Sequence, residues 1–302
     1  LVPIRLTNWQ QWAPDVDYRD FPLSISAALR KTEQILADTS DTASLDARVL
    51  MEHVTGLSHA DLISKGEQPL TESQQSLFDE LVALRKTGAP VAYIIGHREF
   101  WSMDFLVTPD TLIPRPETET LVERALLHIP EETEVTIADL GTGSGAIALA
   151  IGYERPHAKV VATDASRLAL ETARVNEERL GLGNIELRLG SWLEPIEDFA
   201  CDVIVSNPPY VRMDDPHLEK GDVRYEPVTA LVSGDDGLDA IREIVGSAPA
   251  HLKPGGWLLL EHGFDQAADV KQLMKEAGFT KIETIGDLSG QDRVTEGSLN
   301  PD

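Results

Sequence analysis

From residue 135 onward, short β-branched apolar runs alternate with stretches of helical periodicity; the runs cover residues 135–140, 160–163, 185–189, 203–206 and 257–261. Strands that are apolar on both faces are covered on both faces, and strands separated by helices pair in parallel. A doubly wound α/β sheet is therefore expected. Ligands in such sheets sit beyond the carboxyl ends of the strands, so the residues that follow each run carry the chemistry.

The first run leads into Asp139, Leu140, Gly141, Thr142, Gly143, Ser144 and Gly145, then an apolar helix. Glycines permit a tight turn and a close ligand approach, and a helix N-terminus favours a carboxylate or phosphate. Asp164 ends the second run, about 20 residues on, where an acid binds ribose hydroxyls. Alone, this is also a dinucleotide fingerprint, with Ala146 in the last small position. Trp192, after the third run, is placed either to flank an adenine ring or to pack in the core.

The fourth run is cut off by Asn207, Pro208, Pro209 and Tyr210. Two successive prolines lack N–H donors and cannot extend a ladder. The Asn207 side-chain oxygen and the Pro208 carbonyl offer two acceptors to one planar NH2 group, and Tyr210 offers a ring beside it.

Asn207–Tyr210 resembles motif IV of S-adenosylmethionine-dependent amino-methyltransferases, which act on sp² nitrogens. Ile113, Pro114, Arg115, Pro116, Glu117, Thr118 and Glu119 resemble a signature of the protein-glutamine methyltransferases that act on peptide-chain release factors. Over roughly residues 23–299 the chain is similar to the release-factor glutamine N5-methyltransferases. The resemblance implies a seven-stranded Rossmann-like methyltransferase sheet with its last strand inserted antiparallel. It implies S-adenosylmethionine as cofactor, bound by Gly141, Thr142, Gly143, Ser144, Gly145, Asp164, Trp192 and Asn207. The implied substrate is the Gln of a Gly-Gly-Gln loop in class-1 release factors, bound by Asn207, Pro208, Pro209 and Tyr210. By the same analogy Phe100 packs on that glutamine's methylenes; packing in the core is the competing assignment.

The N-terminal third reads differently. Residues 23–87 show helical periodicity, with a capping box at Thr71 and Gln74, and suggest a small helical domain over 21–89 that binds the partner. Residues 90–116 suggest a β-hairpin linker, and 117–302 the methyltransferase domain. Residues 1–20 carry Trp9 and Trp12 without periodicity and receive no assignment.

A net charge of −25 gives none of the basic footprint of a nucleic-acid binder, so no direct nucleic-acid contact is expected. No membrane span, signal peptide or metal site is read; His53 and His59 lack companions at ligand spacing. The single cysteine, Cys201, excludes an intramolecular disulfide, and a cytoplasmic location follows. Two rival readings remain. A nucleic-acid amino-methyltransferase shares Asn207–Tyr210 but wants a basic surface or a target-recognition domain. A nicotinamide-dependent oxidoreductase uses the glycine turn and Asp164 but gives Asn207–Tyr210 no role.

Overall fold

The computed structural model describes residues 22–196 and 199–300, so the unassigned segment 1–20 lies outside the described residues. The described residues divide into two compact units, 22–95 with 220–225, and 96–219 with 226–300.

The first unit is helical: α1 (Ile25–Leu36), α2 (Ala43–Thr55), α3 (His59–Ser64), α4 (Glu72–Lys86) and α5 (Val91–Ile95). In α1 the buried side chains Ile25, Ala28, Thr32 and Leu36 recur at helical spacing and face one core with Leu50, Met51 and Phe78. The capping box forms as the sequence predicts. Gln74 N donates to Thr71 Oγ1 at 3.2 Å and Thr71 N to Gln74 Oε1 at 3.0 Å. Arg85 is buried in this unit, donating to Asp46 Oδ2 and to Asp222 Oδ1, each at 2.7 Å. That carboxylate draws residues 220–225 into the helical unit, whereas the sequence reading placed them within 117–302.

The second unit opens with the hairpin β1 (His97–Phe100) and β2 (Met103–Leu106). Trp101 and Ser102 both take positive φ, 53° and 57°, as a two-residue turn matching strand twist requires. The hairpin is shorter than 90–116: residues 91–95, alternating in sequence, form helix α5 in the first unit.

The chain continues through α6 (Glu119–His128), β3 (Thr136–Leu140), α7 (Ala146–Glu154), β4 (Lys159–Asp164), α8 (Arg167–Leu180), β5 (Ile185–Leu189) and β6 (Cys201–Ser206). It ends with α9 (Asp239–Ser247), β7 (Leu252–Glu261), α10 (Ala267–Glu276), β8 (Phe279–Gly286) and β9 (Asp292–Leu299). The sheet runs β5-β4-β3-β6-β7-β9-β8, parallel except for β9, which pairs antiparallel with both β7 and β8. This is the expected seven-stranded sheet. Val203, Ile204 and Val205 are buried on both faces, in two separate cores. Strand β7 starts at Leu252, earlier than the sequence suggests, because its register against β6 jumps from Leu252 to Trp257 across a bulge. No described helix is long and apolar enough to cross a membrane.

Candidate active site

Strands β3 and β6 are parallel neighbours, with Leu140 opposite Ser206, and Ser206 Oγ donates to the Leu140 carbonyl at 2.7 Å. Gly141 and Asn207 therefore leave the sheet side by side. From β3 the chain builds outward through β4 and β5, then returns to lay β6 on the other side of β3. Such a reversal opens a crevice at the strand ends. A cavity of about 380 Å³ lies there, and its wall includes Gly141, Thr142, Gly143, Ser144, Asp164, Trp192, Asn207 and Pro209. That volume is within the usual range for a small-molecule site.

The glycine turn is held from both sides. Gly141 N and Thr142 N donate to the Thr163 carbonyl, each at 2.9 Å, and Gly143 N donates to Asp164 Oδ2 at 2.8 Å. Asp164 Oδ1 accepts from Ser166 N at 2.8 Å, before α8. Burial raises the Asp164 pKa while these two N–H donors oppose it. A carboxylate has about four lone-pair sites, so Asp164 keeps acceptors for ribose hydroxyls. Gly143 has φ +58° and open space where a Cβ would stand. At Gly141, by contrast, a Cβ would lie 3.1 Å from the Trp192 ring. Trp192 is half-buried, lining the cavity and packing against the core.

Behind the turn, Asp139 is 0% exposed. Its Oδ2 accepts from Thr142 Oγ1 at 2.6 Å and Ala148 N at 3.1 Å, and burial lifts its pKa to about 7 against those hydrogen bonds. It fastens the turn to the first turn of α7.

Asn207 Nδ2 donates to Thr118 Oγ1 at 3.2 Å, which leaves Oδ1 without a partner among the described residues. Thr118, 4% exposed, ends a 3-10 turn (Pro116–Thr118) whose fixed proline leads the chain into α6. Glu261 is the last residue of β7. Glu261 is 1% exposed; its Oε1 accepts from the Tyr210 hydroxyl at 3.2 Å, and its Oε2 has no well-aligned partner among the described residues. Burial raises the Glu261 pKa to about 7.

Four of the sequence-predicted site residues, Tyr210, Phe100, Gly145 and Pro208, are not among the residues lining the cavity. Tyr210 is not on the cavity wall: its ring packs against the core beside α9 and its hydroxyl is spent on Glu261. Phe100 is 2% exposed, edge-to-face with Phe105 at 6.1 Å between centroids, in the core under the hairpin. The core-packing alternative takes it. Gly145 (φ +85°) is the residue before α7, where a Cβ would lie 2.9 Å from Leu149 Cδ1 and 3.2 Å from Ala173 Cβ. Packing alone therefore excludes a side chain at this position. Pro208 is likewise absent from the cavity wall. The sequence reading did not name Thr118, which lines the cavity and accepts from Asn207, among its site residues; the signal was a threonine inside the 113–119 signature.

A release factor glutamine methyltransferase from Xylella fastidiosa (strain Temecula1) is 50% identical over 263 residues, 87% of this chain and 96% of that protein. This chain belongs to the release factor glutamine methyltransferase family. The family's member from Escherichia coli K12 is 44% identical over 85% of this chain and 93% of its own length. Residues 27–96 match the PrmC N-terminal domain and residues 119–220 the methyltransferase small domain. The crystal structure of a methyltransferase from Pyrococcus furiosus, 18% identical, superposes with a TM-score of 0.51 over 74% of this chain and 98% of that one, and shares the fold. The two matched regions fall almost wholly in different compact units, the first in the helical unit and the second in the sheet unit.

Proposed function

We propose that this chain transfers a methyl group from S-adenosylmethionine to the side-chain amide nitrogen of a release-factor glutamine, the Gln of a Gly-Gly-Gln loop. The observation that carries the reading is Asn207. It stands on the cavity wall at the switch point, beside the glycine turn, with its NH2 held by Thr118 and its Oδ1 free.

The residues present fit the cofactor. Gly143 leaves open space at a turn that leads into the N-terminus of α7, Asp164 keeps acceptors for a ribose, and Trp192 supplies a ring on the same wall. When bound, S-adenosylmethionine supplies an electrophilic methyl on a sulfonium.

An amide nitrogen is a poor nucleophile because its lone pair is delocalised into the carbonyl. It must pyramidalise and gain positive charge to react. Asn207 Oδ1 and the Pro208 carbonyl accept its two N–H bonds, orient the lone pair and stabilise that charge as it develops. Alignment of nitrogen with methyl contributes several kcal/mol more, at the order of magnitude known for oriented reactants. The cationic product amide is a strong acid and gives its proton to solvent, so no dedicated base is needed. The helical unit, residues 22–95, then binds the release factor, since a glycine-rich loop offers little surface for recognition.

The test is transfer of labelled methyl to purified release factor, to its Gly-Gly-Gln→Gly-Gly-Ala variant, and to DNA and rRNA. Label on the wild-type factor alone is the expected result. Label on nucleic acid alone would replace this reading with that of a nucleic-acid amino-methyltransferase.

A further inference from the structure

Within the second unit, hydrogen bonds and short runs of chain close a ring around the segment that carries Asn207. Asn207 Nδ2 donates to Thr118 Oγ1 at 3.2 Å. Just upstream of Thr118, Arg115 Nη2 donates to Glu226 Oε1 in an ion pair. Downstream of Glu226, the Leu231 carbonyl accepts from Val211 N at 2.8 Å, and from Val211 the chain leads back through Tyr210 to Asn207. Arg115, Thr118, Asn207, Pro209, Thr229 and Ala230 all line the cavity. The ring thus joins two pieces of the cavity wall, one within 109–118 and one within 227–230.

Both pieces are stiff where they meet. Arg115 stands between Pro114 and Pro116, and a residue before proline is confined to extended backbone; its φ of −99° and ψ of 143° comply. Glu226 precedes Pro227, whose φ is −59°, and the Pro227 carbonyl accepts from Ala230 N at 2.9 Å in a tight turn (Val228–Ala230). Each piece therefore moves as a body, and the spacing between the two is set by what joins them. The joint is the ion pair. Its Glu226 side chain is 0% exposed and its Arg115 side chain 31%. Taking a carboxylate out of water largely offsets the attraction it gains, so such a pair adds little net stability. What it adds is a fixed geometry, because a carboxylate without access to water cannot exchange its cation for solvent.

We propose that Arg115 and Glu226 are positioning residues whose ion pair closes the ring, sets the spacing of the two wall pieces and thereby seats the substrate glutamine side chain at Asn207. The proposal rests on the amide-methylation reading above and adds to it the contact that determines how the acceptor side chain fits. The hydrogen bonds of the glycine turn and Asp164 described above run to Thr163 and Ser166, outside the ring. Loss of the pair should therefore act on the substrate and spare the cofactor. Glu226 is not among the cavity-lining residues, so its influence on the substrate passes through the wall pieces it joins.

The test compares Glu226→Met, Arg115→Met, Arg115→Lys and the double variant Arg115→Met/Glu226→Met in the full chain. Methionine keeps much of each side chain's volume and removes its charge. The readouts are kcat and KM for methyl transfer to release factor, the S-adenosylmethionine dissociation constant, and amide hydrogen exchange at Val211. Glu226→Met should raise the release-factor KM roughly tenfold, with kcat and cofactor affinity within about threefold of wild type. Arg115→Met strands a buried carboxylate and should be at least as impaired. The double variant should be no worse than Arg115→Met, because both substitutions remove the same interaction. Arg115→Lys keeps a charged donor for Glu226 and should fall between wild type and Arg115→Met. Exchange at Val211 should quicken in Glu226→Met while the amides of β3 and β6 stay protected.

A release-factor KM in Glu226→Met within about twofold of wild type would overturn the proposal. So would losses that multiply in the double variant, the mark of an Arg115 that touches substrate on its own account. Equal loss of cofactor affinity would make the pair a general brace of the fold and overturn it too. If Arg115→Met does not fold, Glu226→Met and Arg115→Lys carry the comparison. If the wild type labels no release factor while exchange at Val211 still quickens in Glu226→Met, the ring stands and the substrate reading falls.

Discussion

Gly143 N donates to Asp164 Oδ2 at 2.8 Å, so the carboxylate that ends β4 also shapes the turn that ends β3. One side chain thereby ties the ends of two neighbouring strands together. Asp164→Ala should lower S-adenosylmethionine affinity by about 10–100-fold, the worth of one or two hydrogen bonds to a charged group. Calorimetric titration checks it. An unchanged affinity would leave Asp164 a purely structural acid.

Asn207→Ala should cut kcat by about 100-fold or more, as removal of a transition-state hydrogen-bond partner does elsewhere. Cofactor affinity should stay nearly intact, because the turn and Asp164 are untouched. Single-turnover kinetics with a parallel binding titration separates the two. Equal loss of both would assign Asn207 to the cofactor.

The two positive-φ glycines should respond differently to alanine. Both substitutions force an L-residue into the left-handed region, at about 1–2 kcal/mol. Gly143→Ala meets open space, so the fold should survive with weakened cofactor binding. Gly145→Ala drives its methyl against Leu149 and Ala173, so stability should fall further. Urea unfolding beside cofactor titration distinguishes them; the reverse pattern would put Gly145 at the ligand.

Asp46→Ala should destabilise the helical unit by about 3–5 kcal/mol, the cost of stranding one partner of a buried pair. Arg85 would keep Asp222, Ser40 and the Ala89 carbonyl, yet lose its most buried carboxylate. Amide exchange should show protection falling in α2 and α4. Protection unchanged there would mean that Asp222 compensates.

Glu296 on β9 supplies a pH signature of stability. Burial works to raise its pKa, but His128, 3.3 Å away, and Arg124, which donates to it, hold it down at about 2. A depressed carboxylate stabilises the fold above its unfolded pKa, and that contribution is lost as pH falls from about 4.5 to about 2. The stability gap between wild type and Glu296→Gln should therefore shrink over that window. A gap that stays constant with pH would show that packing, not charge, is what the substitution removes.

How much of this was readable in advance depends on the range of the interaction. The capping box at Thr71 and Gln74 was legible because its two residues are three apart and bond each other. The glycine turn, Asp164 and Asn207 were legible because parallel-sheet geometry puts strand ends at one edge, and each follows an apolar run. Phe100 was misplaced because an aromatic side chain carries the same letter on a cavity wall and in a core. Tyr210 was misplaced because its hydroxyl could not declare a partner 51 residues away.

The local sequence determined the elements: period, caps, proline stops and glycine turns act over a few residues and are written in order along the chain. The tertiary structure decided what Asn207 can do. Its Nδ2 donates to Thr118, 89 residues before it in the chain. Hydrogen-bond polarity in a sealed interior is a property of all the donors and acceptors brought together there, and only folding brings them together.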